Sequence, residues 1–376
     1  MKVLVSYASA GEGHKKAAVS VYEELKRQSP PGAEIILADS LDYTSKFFKF
    51  TYMMGYIFMV KYTPTLWGFF YYILDTKFFY ALVWPFRRLT NWVNTRKLVK
   101  FLKKENFDVC VSAHFMMTEL LSWLKMRKKI NTSLVTVITD YKAHNVWLGK
   151  CVDAYIVGAE DTRQNLIQRG IPESKIRVFG IPIEKKFSVL KNKGDIIKKM
   201  SVEKHKFSVL VMGGGFGVGP IKEIVCDLQK IDLDCQILVV CGRNQLLYEQ
   251  LSSLKSGFKK PTFIFGFCNN MDEIMSLSDV MISKVGGMAS SESLACTLPI
   301  IGIAPIPGQE ARNAKFLLRN GVGFKIKKPS QASTVVLGLL SDETGLSEIK
   351  NKISRLAKPE SARDIAEFIL KSLWKN

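Results

Sequence analysis

Short apolar runs rich in β-branched residues recur along the chain, each followed by an amphipathic stretch. Val3–Tyr7, Glu34–Leu37, Val109–Ala113, Leu134–Thr139, Ala154–Val157 and Arg177–Phe179 read as buried strands. Helical periodicity runs over Lys15–Arg27 and Glu160–Arg169 between them. A lysine-rich bridge near residues 185–206 follows, and then the pattern restarts. Phe207–Met212, Gln236–Cys241, Thr262–Phe265, Val280–Ser283 and Pro299–Ile303 form the second set. Strand alternating with helix in two sets predicts an α/β protein with two doubly wound domains on parallel sheets. We place these domains at 1–190 and 191–360, with a C-terminal helix in 361–376 that could pack back on the N-terminal domain.

Composition supports a folded chain. Of 376 residues 47% are hydrophobic and 23% charged, and 13 Pro with 26 Gly exclude disorder and collagen-like repetition. Charge is the unusual feature: 54 Lys and Arg against 34 Asp and Glu give a net +20. Most of the excess lies in residues 1–200, with 32 basic and 17 acidic side chains. Such a balance points to an anionic partner, whether nucleic acid, a nucleotide or an anionic membrane surface. The 7 cysteines form no CxxC pair, which suits buried thiols in a reducing compartment. Because the chain opens directly on a strand, no signal peptide is expected and a cytoplasmic location is.

Aromatic residues are concentrated as well. Between Tyr43 and Trp84 stand 17 of the 41 aromatics. The apolar runs Phe50–Val60, Leu66–Leu74 and Phe78–Trp84 are cut by Lys61, Asp75 and Lys77. None approaches the roughly 20 residues of a spanning helix. Arg87, Arg88, Arg96, Lys97, Lys100, Lys103 and Lys104 follow with almost no acids. Aromatics flanked by cations suit a surface lying in the headgroup zone of an anionic bilayer. The plainer alternative is a helical insertion packed into its own domain. No RNA- or DNA-binding motif accompanies the patch, so no nucleic-acid partner is expected.

Four loops after strands carry candidate chemistry. In Gly11-Glu12-Gly13-His14, Lys16 stands where a dinucleotide fingerprint needs its third glycine, and no acid closes the next strand. The turn instead brings His14 to a helix N-terminus, where the dipole lowers an imidazole's proton affinity. His14 is thus a candidate base or donor, with capping or packing as the alternative. Gly213-Gly214-Gly215-Phe216-Gly217-Val218-Gly219 offers backbone N–H groups to phosphate oxygens and lacks the Walker ending. Ser283-Lys284-Val285-Gly286-Gly287 repeats strand, glycine turn and helix, with a cation and then Glu292. Pro307-Gly308-Gln309-Glu310, with Asn313 three residues on, can hydrogen-bond several hydroxyls at once, as sugar recognition requires.

These motifs come in a recognisable order. Gly11-x-Gly13-His14, Thr139-Asp140-x-x-x-His144-x-x-Trp147, Phe179-Gly180-Ile181-Pro182, Gly213–Pro220, Cys241-Gly242-Arg243-Asn244, Gly266-Phe267 with Asn270-Met271, Lys284–Glu292 and Gly308-Gln309-Glu310-x-x-Asn313 span nearly all of the chain. Together they resemble the monogalactosyldiacylglycerol synthase and processive diacylglycerol glucosyltransferase group of glycosyltransferase family 28. The resemblance implies a GT-B fold, two Rossmann-like doubly wound domains facing across a cleft. The donor UDP-sugar would sit on the C-terminal domain and the acceptor on the N-terminal one.

Carried over by motif, Gly214, Gly215, Lys284, Gly286 and Gly287 would meet the diphosphate, and the Phe267 backbone the uracil. Glu292 would bind ribose, Gln309 and Glu310 the sugar, and Asn313 would support them. His14 and Asp140 are the two candidate bases, with Gly13, His144 and Trp147 on the acceptor side. Two departures stand out: Val285 where relatives often have Pro or Ala, and Ala289 where Thr is common.

The expected activity is inverting hexose transfer from UDP-glucose or UDP-galactose to diacylglycerol, at the inner face of the cell membrane with anionic lipids as partners. No metal and no cofactor are expected, and the oligomeric state is open. A transferase for another lipid acceptor, of the lipid-linked muropeptide type, is the alternative. A UDP-sugar epimerase and a non-enzymatic lipid or nucleotide binder are more distant ones.

Overall fold

The computed structural model describes residues 1–9, 11–189, 191–203, 206–230, 232, 234–303 and 305–373, without the side chains of residues 56, 57, 61, 77, 88, 91 and 92. Part of the lysine-rich bridge and Trp374, at the end of the predicted final helix, therefore lie outside the described residues. The chain forms two compact units: residues 1–185 with 306–309 and 360–376, and residues 186–305 with 310–359.

The first unit contains β1 (Lys2–Tyr7), α1 (Glu12–Gln28), β2 (Glu34–Asp39), α2 (Lys46–Tyr62), α3 (Pro64–Leu74), α4 (Lys77–Asn94), α5 (Arg96–Glu105), β3 (Val109–Ser112), α6 (Phe115–Met126), β4 (Ser133–Val137), β5 (Ala154–Ile156), α7 (Glu160–Gln168) and β6 (Ile176–Arg177). Its sheet is parallel throughout, in the order β2-β1-β3-β4-β5-β6. The central strands are apolar on both faces because helices cover both, so Val3, Leu4, Val5, Val109 and Val111 are all buried. Helix α1 buries Ala17, Ala18, Val21 and Leu25, one stripe of the helical period, and carries Glu12 in its first turn and Lys26 and Arg27 in its last.

Helices α2, α3 and α4 form the aromatic insertion between β2 and β3. On one side Phe48, Tyr52 and Met53 pack against Ala8, Leu41 and Met116. Elsewhere the insertion leaves Phe47, Phe58, Phe69, Phe78 and Phe86 exposed, Phe47 at 77% and Phe78 at 74%. No helix among the described residues is long and apolar enough to cross a membrane. Helix α5 buries Leu98 and Leu102 and turns Lys97, Lys100, Lys103 and Lys104 outward. Arg87 departs from the expected cationic surface: it turns inward to Glu119 at 2.8 Å and lies against the Tyr80 and Phe115 rings.

The second unit contains α8 (Lys193–Met200), β7 (Phe207–Met212), α9 (Ile221–Leu228), β8 (Cys235–Val240), α10 (Gln245–Leu254), β9 (Thr262–Phe265), α11 (Met271–Leu277), β10 (Val280–Ser283), α12 (Gly287–Ala295), β11 (Ile300–Ile303), α13 (Gln309–Arg319), β12 (Gly323–Ile326), α14 (Ala332–Ser341) and α15 (Glu343–Leu356). The sheet order is β12-β11-β10-β7-β8-β9, again all parallel. Strand β12 is an addition to the sequence reading. It is a four-residue edge strand with an exposed Lys325, too short and polar to stand out. The last helix, α16 (Ser361–Phe368), returns to the first unit. Ser361 Oγ donates to the Ile181 carbonyl at 3.0 Å, and the Phe368 ring stands 5.8 Å from that of Phe179.

Candidate active site

A doubly wound sheet binds ligands beyond the carboxyl ends of its strands, where the strand order reverses direction. In the first unit that point lies between β1 and β3, and His14 is there. It occupies the first turn of α1, whose N-cap is Gly11 with no side chain to cap it. His14 Nδ1 stands 2.8 Å from the carbonyl oxygen of Ala113, just after β3, and 3.2 Å from Thr139 Oγ1, just after β4. A carbonyl only accepts, so Nδ1 carries the proton and Nε2 holds the lone pair. Desolvation lowers the imidazole's pKa to about 4, against an upward pull from the Ala113 hydrogen bond. His14 is neutral at physiological pH, as a general base must be.

The surroundings of His14 are aromatic. The His114 ring meets it edge-on at 4.8 Å, and Trp147, itself buried, lies 5.9 Å away. His114 caps α6, its Nδ1 accepting from the Met116 backbone N–H, and burial holds it neutral as well. Asp140, the second candidate base, is half-buried and directly follows Thr139, whose hydroxyl contacts His14. Gly13 sits in the same helical turn as His14.

His144 is engaged at both ring nitrogens. Nε2 donates to the Tyr71 carbonyl at 2.7 Å, and Nδ1 accepts from the Val146 N–H at 3.1 Å. Beside it Asp75, the C-cap of α3, accepts from both terminal nitrogens of Arg169 at 3.0 and 2.9 Å and from the Asn145 N–H at 2.9 Å. This buried cluster fastens the aromatic insertion to the segment that carries Asp140, His144 and Trp147.

In the second unit the strand order reverses between β7 and β10, and the loops after these two strands meet. Gly214 has φ +69°, and a Cβ on it would lie 3.2 Å from Cε of Lys284. Lys284 Nζ stands 3.6 Å from Glu310 Oε1, whose side chain is buried at the start of α13. Asn313 Nδ2, fully buried, donates to the Val285 carbonyl at 3.2 Å and so holds the glycine turn against α13. Gly286 is the N-cap of α12, Gly287 its first residue, and Glu292 lies buried in the same helix. Gly217 requires its hydrogen side chain: φ is +58°, and a Cβ would fall 2.0 Å from the Cys241 carbonyl oxygen.

The glycine loop is further tied to β8 by the Arg243 N–H, which donates to the Gly215 carbonyl at 2.9 Å. The Arg243 guanidinium lies 5.0 Å from the ring centre of Phe267 and 5.8 Å from that of Phe216, both half-exposed. The result is a cation–aromatic cluster beside the loop. Gln309 opens α13, next to Glu310.

The structure therefore gathers His14 and Trp147 at one switch point, with Asp140 next in the chain to the Thr139 that contacts His14, and Gly214, Lys284, Glu310 and Asn313 at the other. Sequence reasoning missed His114, Tyr71, Asp75 and Arg169, whose roles arise from contacts distant in the chain. It also missed that Asp39 closes β2, accepting from the Leu41 N–H at 3.0 Å and the Ser9 N–H at 3.2 Å. Among the described residues no group of three His, Cys, Asp or Glu side chains is arranged to hold a metal.

Residues 14–183 match the family profile of monogalactosyldiacylglycerol (MGDG) synthase, and residues 208–368 that of the glycosyltransferase family 28 C-terminal domain. The chain belongs to the MGDG synthase group of glycosyltransferase family 28. Within this family-28 group it is similar to the processive diacylglycerol beta-glucosyltransferase of Bacillus cereus (strain B4264), 28% identical over 98% of this chain and 93% of the relative. The relative of the same name in Bacillus thuringiensis (strain Al Hakam) is 27% identical with the same coverage. Among solved structures, Acinetobacter baumannii MurG superposes with a TM-score of 0.65 at 15% identity, over 98% of this chain and 99% of that one. The UDP-GlcNAc 2-epimerase of Neisseria meningitidis bound to UDP-GlcNAc gives 0.62 at 13%, over 99% and 100%. These likenesses concern the fold, which is GT-B in this family-28 chain.

Proposed function

We propose that this protein transfers a hexose from a UDP-sugar to the free hydroxyl of diacylglycerol, with inversion, while bound peripherally at the inner face of an anionic membrane. The chemistry rests on one observation above the rest: the contact of His14 Nδ1 with the Ala113 carbonyl, which leaves Nε2 as the proton acceptor. In the proposed step the acceptor hydroxyl attacks the sugar's anomeric carbon in line. Its proton passes to His14 Nε2 as the carbon–oxygen bond to UDP breaks. Asp140 is the alternative base, and Trp147 and His144 shape the acceptor side.

Charge on the departing diphosphate is met by the backbone of Gly214 and Gly215, by Lys284, and by the start of α12 at Gly286 and Gly287. Glu292 is assigned to ribose, the Phe267 backbone to uracil, Gln309 and Glu310 to the sugar hydroxyls, and Asn313 to holding that site in shape. No resident metal or cofactor is part of the proposed route, in which Lys284 and the start of α12 would supply the positive charge that meets the leaving group.

The acceptor is supported by the names of the relatives, which cover nearly the whole chain, and by the exposed aromatic face of α2–α4 next to the cationic α5. UDP-glucose is the proposed donor on the same ground, with UDP-galactose the alternative. The test is purified protein with diacylglycerol in anionic vesicles and each donor in turn. Hexosyl-diacylglycerol from one of them is expected. UDP binding without any glycolipid would move the acceptor to another lipid.

A further inference from the structure

Tyr71 on α3 touches two loops of the first unit at once. Its carbonyl accepts from His144 Nε2 at 2.7 Å, and a Cβ on Gly308 would lie 3.0 Å from its ring. One turn earlier stands Gly68, the buried residue of α3, and a Cβ there would lie 2.4 Å from Pro307 Cβ. Pro307 and Gly308 are thus seated on α3 at a distance that only glycine permits on either side. Gln309 and Glu310 follow them directly in the chain. Elsewhere on the same helix Leu66, Phe69, Phe70 and Tyr72 are exposed.

A close-packed contact of this kind does not absorb a shift of an ångström; one side carries the other with it. We propose that α3 couples the lipid surface to the donor site. Gly68 and Tyr71 are positioning residues that set Pro307–Gly308, and through them Gln309 and Glu310, so that seating the apolar face of α3 in a bilayer and binding the nucleotide are linked. The inference rests on the donor and membrane roles proposed above. Linkage requires reciprocity: if the bilayer tightens nucleotide binding, nucleotide tightens bilayer binding by the same factor.

The experiment measures the affinity of the full chain for UDP by calorimetry, alone and with vesicles of phosphatidylcholine and phosphatidylglycerol lacking diacylglycerol. Wild type should bind UDP about 5-fold or more tightly on vesicles, the lower range of measured couplings. Saturating UDP should strengthen vesicle binding by the same factor. Gly68→Val and Tyr71→Ala should bind both ligands with that ratio reduced to below about 2, while Tyr71→Phe, which keeps the ring, retains it. Tyr71→Ala creates no clash, so the test survives if Gly68→Val fails to fold. A wild-type ratio near one with UDP still bound overturns the coupling alone, as does an unchanged ratio in Tyr71→Ala. Failure of wild type to bind UDP at all overturns the donor assignment and the coupling with it.

Discussion

His14 Nδ1 lies 2.8 Å from the carbonyl oxygen of Ala113, and this contact fixes which nitrogen of the ring can take a proton. Burial pushes the ring's pKa from 6.5 down to about 4, so Nε2 stays unprotonated through neutrality. As pH falls through about 4 the ring gains a proton and the base is lost. The rate of glycolipid formation should therefore have no acid limb near 6.5 and should fall only as pH approaches 4. His14→Ala should lower kcat by roughly 10²- to 10⁴-fold, the usual worth of a general base. Near-normal turnover of that variant would transfer the role to Asp140.

Lys284 sits over Gly214 and within 3.6 Å of Glu310, where a diphosphate and a sugar would meet. Losing a charge-assisted contact costs about 1.5–3 kcal/mol. Lys284→Ala should accordingly weaken UDP binding by roughly 10- to 100-fold in calorimetry. Gly217→Ala should abolish it, because its methyl group would collide with the Cys241 carbonyl at a positive φ.

Much of this second-unit site is legible in the sequence, because its signals are local. Buried strands read as apolar runs, and the glycines after them announce tight turns wherever they occur. The pair at the β7–β10 switch point follows once the strand order is inferred. What the sequence conceals is pairing at long range. Asp75 reads as an acid interrupting an apolar run, yet it is a buried ligand of Arg169, 94 residues away. His144 reads as a residue facing the acceptor, and only the fold shows that its Nε2 also holds the Tyr71 carbonyl of α3 while Nδ1 caps the turn at Val146. Arg87 reads as one cation in a basic surface, and only the fold shows it turned to Glu119.

The Asp75–Arg169 pair should matter for stability more than for chemistry. Both side chains are largely buried, at 9% and 14% exposure. Asp75→Asn leaves the guanidinium without its counter-charge, a change that typically costs about 3–5 kcal/mol. Urea unfolding should show a lower midpoint, and Asp75→Asn combined with Arg169→Met should recover part of the loss. An unchanged midpoint would mean that water already serves this pair.

The exposed aromatics of α2–α4 should act on lipid and not on fold. Phe78 and Phe86, at 74% and 71% exposure, have little packing to lose. Burying a phenylalanine side chain is worth about 1.5–3 kcal/mol. Each of Phe78→Ser and Phe86→Ser should weaken flotation with anionic vesicles by roughly tenfold or more. The melting temperature and the affinity for UDP without vesicles should stay unchanged. Raising salt should weaken vesicle binding further by screening the cations of α5.

The central claim is that one chain brings a UDP-sugar donor and diacylglycerol together. Its most direct test is mass analysis of the lipids formed when purified protein meets diacylglycerol in anionic vesicles with UDP-glucose, and separately with UDP-galactose. The account predicts a hexosyl-diacylglycerol from one donor, UDP-glucose, with its formation slowed by roughly 10²-fold or more in His14→Ala in the same assay. Vesicles that come back with diacylglycerol unmodified under both donors, while the protein still binds UDP, would contradict it.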